Sequence, residues 1–373
     1  MDFELTPEQN MLKKSFQEFL AKECPFDVVR EIRKSDMGYS PKIWKKMADL
    51  GWLGLVFEEK YGGSEGAFLD LFVLFEELGK AQLPSPLFAS PVMAGFLISE
   101  AGSDAQKEAY LPRLIDGKKI FTVALPDETP VPAGRKTVIS TGRNPDGDYI
   151  LNGEALLVPH ADVADMILFC AEDQNRSPIL CLADSKSSGL RVSALRTITE
   201  ERKFVVACAN VRVSGKNVIA EADNAKAALE RMKTKAMVLK CGEMIGGFKQ
   251  VLDMTVNYAS QRKQFGVPIG KFQAIQHFCA EMAIDLQGAQ LIAYQAASAI
   301  SSGASGEVEA AMAKAWCSDT YVNATRISQQ IHGGIGFTDE FAVGLYFKHA
   351  KESELMFGHS KIKRQHIANA IGL

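Results

Sequence analysis

The chain has 373 residues, of which 47% are hydrophobic and 23% are charged, and its formal net charge is -3. A chain of this length and composition can bury a substantial core, and ordinary domain sizes predict two or three folded units. The slightly negative charge argues against a protein that binds nucleic acid electrostatically. No uninterrupted apolar run approaches the roughly 20 residues that a membrane helix needs, so we expect no membrane partner.

The seven cysteines are odd in number and scattered, and none has a Cys-x-x-Cys spacing. This distribution predicts reduced thiols in the core and gives no sign of a disulfide framework or a zinc site. Residues 1–5 lack the basic region and the following apolar region of a signal peptide. We therefore expect a cytoplasmic protein.

The first part of the sequence, residues 1–118, has a helical pattern. Thr6 is suited to cap the first helix and Pro7 suits its first position, and Ser40-Pro41 repeats this start signal. The predicted apolar face of the first helix consists of Leu12, Phe16, Phe19 and Leu20. Similar helical patterns occur at residues 70–80 and 103–115.

The hydrophobic period changes between residues 119 and 220. Short β-rich runs occur at residues 120–125, 149–151, 166–170, 179–182 and 204–206. Asn152-Gly153 follows one of these runs, and this dipeptide predicts a hairpin turn. The pattern therefore predicts a small β domain between two helical regions.

The helical pattern returns after Asn224. No proline occurs from there to Pro268, so one helix of about ten turns fills the interval. Gly242, Gly246 and Gly247 lie inside it and predict close contacts with neighbouring helices. Further helices are predicted at residues 272–302, 307–331 and 341–357.

The most informative segment, which we name the arginine corner, is residues 261–273, between two predicted helices. Arg262 offers a planar fork of donors that suits a diphosphate. Gln273 begins the next helix, whose free amide groups and dipole also favour an anion. From these residues alone, the corner is either a clamp for a nucleotide cofactor or an arginine-capped turn between two core helices.

The order of a helical, a β and a second helical region resembles the acyl-CoA dehydrogenase family. Two motifs carry this resemblance: Arg262-Lys263-Gln264-Phe265-Gly266 and Gln330-Ile331-His332-Gly333-Gly334-Ile335-Gly336. The segments Tyr61-Gly62-Gly63 and Glu77-Leu78-Gly79-Lys80 also look like the family. The resemblance implies an all-α N-terminal domain at residues 1–118, a small β-barrel-like domain at 119–220 and a C-terminal four-helix bundle at 221–373.

The family binds FAD between subunits, and the resemblance implies the same cofactor here. Arg262 and Phe265 would contact the diphosphate and flavin region of a neighbouring subunit's cofactor, with Gln273 nearby. The adenosine diphosphate half would be lined by Gln330, Gly333 and Gly334, since glycines let backbone amides approach phosphate oxygens closely. Without the resemblance, the glycine run is better explained as the C-cap of a helix.

The family's reaction needs a carboxylate that removes the α-proton of an acyl thioester. Phe357 aligns with the family's usual glutamate, and phenylalanine cannot accept a proton. Some relatives carry the base on the long helix before the arginine corner, but that position is Ala236 here. Glu243, two turns further along the same helix face, is our candidate base. An ion pair between Glu243 and Lys240 is the alternative.

The β domain departs from the family pattern as well. Leu157-Val158-Pro159-His160 stands where the family has a tryptophan and a threonine beside the flavin. A family segment that contacts coenzyme A has no clear match at residues 126–135. The histidines His160, His332 and His359 have no metal-ligand spacing, so no metal site is predicted.

Three functions remain open from the sequence. The chain is an FAD-dependent acyl-CoA dehydrogenase with a relocated base, or a subunit that completes the flavin site of a catalytic partner chain, or a flavin monooxygenase or oxidase on the same fold. The resemblance implies an acyl-CoA substrate, a homo- or heterotetramer and, as electron acceptor, a protein of the electron-transfer flavoprotein type.

Overall fold

The structure is a computed structural model that describes residues 5–126, 137–338 and 341–373. Its helices before the β region are α1 (Pro7–Glu23), α2 (Phe26–Lys34), α3 (Pro41–Asp49), α4 (Phe68–Ala81), α5 (Phe96–Ala101) and α6 (Asp104–Ile115). A π-helical segment, Phe88–Gly95, leads into α5. The predicted starts are confirmed: Thr6 and Gln9 form a capping box at α1, and the Ser40 side chain caps α3.

The middle region is a β domain. Its strands are β1 (Phe121–Ala124), β2 (Val138–Arg143), β3 (Tyr149–Pro159), β4 (Met166–Glu172), β5 (Pro178–Asp184), β6 (Leu190–Leu195), β7 (Lys203–Val213) and β8 (Val218–Glu221). They form one sheet in the order β6-β7-β3-β2-β4-β5-β8, and β1 pairs in parallel with β4. Apolar side chains from β2, β3, β4, β5 and β7 meet in one core. Strands β2, β6 and β8 were missed by the sequence pattern.

The prediction of a hairpin turn at Asn152-Gly153 is wrong. Both residues lie inside β3, at an irregularity in its pairing with β7. Gly153 has a φ of +123°, and a Cβ atom there would lie 2.1 Å from the carbonyl oxygen of Val138 on β2. The glycine therefore allows close backbone approach between two strands. The turn between β2 and β3 is made at residues 144–148, where the Asn144 N–H donates to the Asp148 carbonyl at 2.8 Å.

The C-terminal region is helical. Its helices are α7 (Ala222–Gln261), α8 (Gln273–Ser301), α9 (Glu307–His332), α10 (Val343–Leu355) and α11 (Ser360–Ala370), and a two-stranded ribbon of β9 (Lys263–Gln264) and β10 (Val267–Pro268) precedes α8. The 40 residues of α7 confirm the predicted long helix. Helix α9 packs against α8, α10 and α11.

The glycines of α7 allow the close helix contacts predicted from the sequence. A Cβ atom at Gly246 would lie 1.8 Å from the Glu76 carbonyl oxygen on α4, and one at Gly247 would lie 2.3 Å from the Tyr321 hydroxyl on α9. A Cβ atom at Gly242 would lie 3.1 Å from the ring of Phe72. These residues let α4 and α7 touch backbone to backbone.

The described residues form two compact units. One contains those of Met1–Val29, Ala67–Leu83 and Met237–Leu373, and the other contains those of Arg30–Gly66 and Pro84–Ala236. The predicted domain boundaries near residues 118 and 220 stay a prediction. None of the described helices is both long enough and apolar enough to cross a bilayer.

Candidate functional site

The arginine corner is a tight ribbon between two long helices. In it, Gln264 pairs with Val267 and Lys263 with Pro268. Phe265 and Gly266 both have positive φ, +52° and +81°, as the two central residues of a type I′ turn require. The Ile269 N–H donates to the Arg262 carbonyl at 2.8 Å and closes the ribbon.

The predicted cofactor contacts of this corner all face solvent. The Phe265 side chain is 93% exposed and meets the Phe272 ring edge to face at 6.2 Å. Gln273 is exposed at the first position of α8. Among the described residues, no carboxylate or side-chain acceptor pairs with the Arg262 guanidinium. An exposed guanidinium without a side-chain partner in the described part of the chain can donate to an anion.

The glycine run follows the end of α9. Gly333 has a φ of +64° and its N–H donates to the Gln329 carbonyl, so it is a helix C-cap, as the simpler explanation predicted. Gly334 needs no positive φ, and a Cβ atom there would meet no atom within 4 Å. Packing within the described chain therefore gives no reason for glycine at 334, whereas a close ligand would. Gln330 is exposed one turn earlier.

His332 lies beneath this glycine run. Its ring stacks on Tyr258 with the centroids 4.4 Å apart, and Phe341 lies 4.9 Å away on a tilted plane. Nδ1 donates to the Ser328 carbonyl oxygen at 2.8 Å. Burial lowers the pKa of His332. This histidine is a packed support for the exposed segment, and sequence spacing alone could not place it there.

Phe357, which the family resemblance aligns with the usual base, lies just after α10. Phe357 and Gly358 are consecutive residues with positive φ, +60° and +85°. The Phe357 side chain is half-buried and has no group that can accept a proton. The second family position, Ala236 on α7, is fully buried and equally inert.

Glu243, the candidate base, is held by two partners. Its Oε2 lies 2.5 Å from Nζ of Lys240, and its Oε1 accepts a hydrogen bond from Nε2 of His349 at 2.9 Å. Burial alone would raise the pKa of this carboxyl, but the Lys240 ammonium and the His349 ring together hold the pKa well below its usual range. The ion pair with Lys240, our alternative from the sequence, is present; a catalytic role for Glu243 stays a prediction.

His349 was not identified from the sequence, since it lies 106 residues from Glu243 along the chain. Its Nδ1 lies 3.3 Å from both the Tyr321 hydroxyl and the Gln82 side-chain amide. The ring is 3% exposed, so these contacts form a buried polar network that connects α4, α7, α9 and α10.

The β domain offers the flavin less than the family pattern does. Leu157, in the place of an aromatic ring, is 43% exposed with a φ of +56°. Pro159 has no hydroxyl, and its carbonyl accepts a hydrogen bond from the Thr122 hydroxyl at 2.5 Å. Burial, reinforced by nearby Lys203, lowers the pKa of His160 to about 4, which keeps that ring neutral. The unmatched segment at 126–135 lies almost entirely outside the described residues.

Within the described ranges, no three or more His, Cys, Asp or Glu residues are placed to hold a metal ion, and the absence of a metal site stays a prediction. All seven cysteines are free thiols. Burial raises the pKa of Cys170 and Cys181 to about 12, so neither is a reactive thiolate near neutral pH.

Comparison with known protein families gives two matches. The family described as "Acyl-CoA dehydrogenase, N-terminal domain" matches residues 6–118, and "Acyl-CoA dehydrogenase, C-terminal domain" matches residues 225–372. Together the two ranges cover more than half of the chain.

Individual relatives match over almost the full length. A 3-(aryl)acrylate reductase of Clostridium sporogenes is 28% identical, over 98% of this chain and 98% of that protein. The caffeyl-CoA reductase-Etf complex subunit CarC of Acetobacterium woodii is also 28% identical, with 98% of each chain covered. The solved butyryl-CoA dehydrogenase from Megasphaera elsdenii superposes with a TM-score of 0.88 at 25% identity, over 100% of both chains. The chain therefore belongs to the acyl-CoA dehydrogenase family of oxidoreductases.

Proposed function

We propose that this chain is a subunit of an FAD-dependent assembly that dehydrogenates an acyl-CoA thioester between its α and β carbons. The observation that carries the proposal is the exposed guanidinium of Arg262, which has no side-chain partner among the described residues, in the same turn as the 93% exposed ring of Phe265. A buried structural arginine would be paired, and a phenylalanine ring that is 93% exposed gains little from packing within its own chain, even with its edge-to-face contact to Phe272.

The family resemblance implies which residues would contact the cofactor, and the exposure of these residues supports the proposal. Arg262 would hold the diphosphate of an FAD bound mainly by a neighbouring chain, with Phe265 and Gln273 beside it. Gln330 and the backbone at Gly333 and Gly334 would approach the adenosine diphosphate half. The bound flavin supplies the acceptor for the β-hydride.

The proton acceptor is better supplied by the partner chain. Phe357 and Ala236 cannot take a proton, and the Glu243 carboxylate is occupied by Lys240 and His349. A carboxylate with a strongly lowered pKa is a weak base, because catalysis favours a pKa near the working pH. For Glu243 to act as a relocated base, it would have to leave at least one of these two partners.

An exposed apolar face supports the assembly. On adjacent helices α8 and α9, the side chains of Ile284, Leu291, Met312 and Trp316 are between 40% and 69% exposed. A Cβ atom at Gly288 would lie 3.2 Å from Nε1 of Trp316, so the two helices pack tightly beneath this face. We propose that a different dehydrogenase chain, the one that supplies the base, covers it in a heterotetramer. The name of the relative CarC, a subunit of a reductase-Etf complex, supports an acceptor of the electron-transfer flavoprotein type.

The test compares the chain purified alone with the chain purified with its co-purifying partners. We expect flavin absorbance near one cofactor per site, and anaerobic bleaching by acyl-CoA, only in the mixed assembly. Full flavin occupancy and turnover by the lone chain would contradict the proposal and favour Glu243 as base. Oxygen consumption without enoyl-CoA would indicate an oxidase instead. We also propose the cytoplasmic location that the sequence predicted.

A further inference from the structure

A fully buried lysine lies next to the turn that carries Phe357. Lys314 on α9 is 0% exposed. Its Nζ donates to the Ser318 hydroxyl at 2.8 Å, to the Glu354 carbonyl oxygen at 2.9 Å and to the Gly358 carbonyl oxygen at 3.3 Å. All three ammonium protons are thus used, and no described carboxylate lies within ion-pair distance of Nζ.

Two of these acceptors flank residue 357. The Glu354 carbonyl belongs to the last turn of α10, whose carbonyls have no partner within the helix, and the Gly358 carbonyl follows Phe357 directly. The buried cation also offsets the negative end of the α10 dipole. Lys314 therefore binds the turn on both sides of position 357.

The backbone of the same turn has an unfavourable conformation at Phe357. Phe357 has a φ of +60°, and a bulky residue adopts this region only where its surroundings impose it. Two backbone hydrogen bonds lie within the turn: the Met356 N–H donates to the Glu352 carbonyl at 3.1 Å and the Gly358 N–H to the Leu355 carbonyl at 3.2 Å. The contacts of the Lys314 ammonium with the Glu354 and Gly358 carbonyl oxygens add a further constraint.

We infer that Lys314 is the positioning residue for position 357, fixing the turn that presents this side chain to the acyl site. The role of the turn at an acyl site rests on the proposed function; the constraint by Lys314 does not. Lys314 would then hold a carboxylate at the same position, so Phe357→Glu should introduce a proton acceptor.

The first arm of the test measures hydrogen exchange by mass spectrometry on the intact assembly. In the wild type, we expect the amides of Met356 and Gly358 to exchange as slowly as the interior of α10. Lys314→Gln and Lys314→Met should each speed this exchange at least tenfold while peptides of α8 are unchanged. Ser318→Ala, which leaves both turn contacts in place, is the matched control. Fast exchange in the wild type, or an unchanged turn in the Lys314 variants, would overturn the inference.

The second arm uses Phe357→Glu. Its carboxylate should take the α-proton of an acyl-CoA, breaking the C–H bond and forming an O–H bond, and then return a solvent deuteron to the same carbon. We expect α-deuterium incorporation at least tenfold above wild type. Adding Lys314→Gln should abolish this gain in deuterium incorporation. The exchange rate at saturating acyl-CoA should fall, while the acyl-CoA concentration that gives half of the maximal rate stays unchanged. Equal rates in the single and double variants would overturn the inference.

The two arms separate the two claims. If Phe357→Glu gives no deuterium incorporation while the Lys314 variants loosen the turn, the positioning role stands and the placement of residue 357 at an acyl site fails.

Discussion

Nε2 of His349 lies 2.9 Å from Oε1 of Glu243 and so connects α10 to α7. The other carboxylate oxygen is taken by Lys240 at 2.5 Å. A carboxylate held between a lysine and a histidine in the core has the properties of a structural ion pair. The position of Glu243 on one helix face with Ala236 is the reason that the sequence makes it a candidate base.

Replacing Glu243 separates these two roles. Glu243→Gln removes the carboxylate that the buried Lys240 ammonium contacts at 2.5 Å, so we expect the free energy of unfolding to fall by about 3–5 kcal/mol. Turnover per folded assembly should change less than about threefold, since a structural carboxylate takes no proton from the substrate. Urea denaturation and single-turnover bleaching measure the two effects. A loss of turnover by orders of magnitude at unchanged stability would instead make Glu243 the base.

Lys314 predicts a specific pH dependence of stability. Burial lowers its pKa from 10.5 to about 8, with a further contribution from Lys363, while Glu354, Cys241 and Cys317 act in the opposite direction. Between these two pH values, the unfolded chain binds a proton that the folded chain does not, so stability rises with pH. The wild type should gain about 3 kcal/mol relative to Lys314→Met between pH 8 and pH 10.5. A constant difference in the free energy of unfolding between the wild type and Lys314→Met across this pH range would contradict the lowered pKa of Lys314.

Lys13 on α1 contacts two buried carboxylates on α4. Lys13 Nζ lies 3.1 Å from Oε2 of Glu76 and 3.7 Å from Oε1 of Glu77, which are 2% and 3% exposed. Lys13→Met should destabilise the fold by about 3 kcal/mol, because buried carboxylates lose a counter-charge. Lys14→Met is the control, since its partner Glu18 is exposed and its effect should stay within about 0.5 kcal/mol. Equal thermal stability of the two variants would argue against this role.

The glycine at position 334 gives a prediction about the cofactor alone. Because a Cβ atom there meets nothing within 4 Å, Gly334→Ala should leave the free energy of unfolding of the flavin-free chain unchanged within about 1 kcal/mol. If the backbone approaches a phosphate, the added methyl group should weaken FAD binding by the assembly at least tenfold. Gly246→Ala should instead destabilise the fold, because its Cβ atom would lie 1.8 Å from a carbonyl oxygen. Unchanged flavin affinity in Gly334→Ala would remove residue 334 from the cofactor site.

Local patterns predicted most of the helices, because capping residues and apolar spacing act within a few residues, but α2, α5 and α11 were not predicted. The Thr6 cap and the uninterrupted α7 are examples. The wrong prediction at Asn152-Gly153 has a long-range cause. Glycine is needed at 153 because the backbone of Val138 on another strand lies close to it, and a dipeptide pattern contains no such contact. Asn144-Pro145-Asp146-Gly147 carried the real turn signal.

The candidate site shows the same limit. Arg262 and Phe265 were identifiable because the corner is contiguous in sequence and its residues face solvent. His349 and Lys314 were missed, since their partners at Glu243, Glu354 and Gly358 are assembled by the packing of α7, α9 and α10. Helical periodicity marks Lys314 only as a residue on α9, and nothing local distinguishes a buried lysine from an exposed one.

The flavin content of Arg262→Ala in the purified assembly tests the central claim most directly. A charge-assisted contact to a diphosphate contributes about 1.5–3 kcal/mol, so FAD affinity should fall by about 10- to 150-fold, measured by flavin fluorescence during dilution. Lys263→Ala, an exposed cation in the same ribbon, should bind FAD as the wild type does. Equal flavin retention by Arg262→Ala and Lys263→Ala would contradict the account, because the corner would then hold no cofactor.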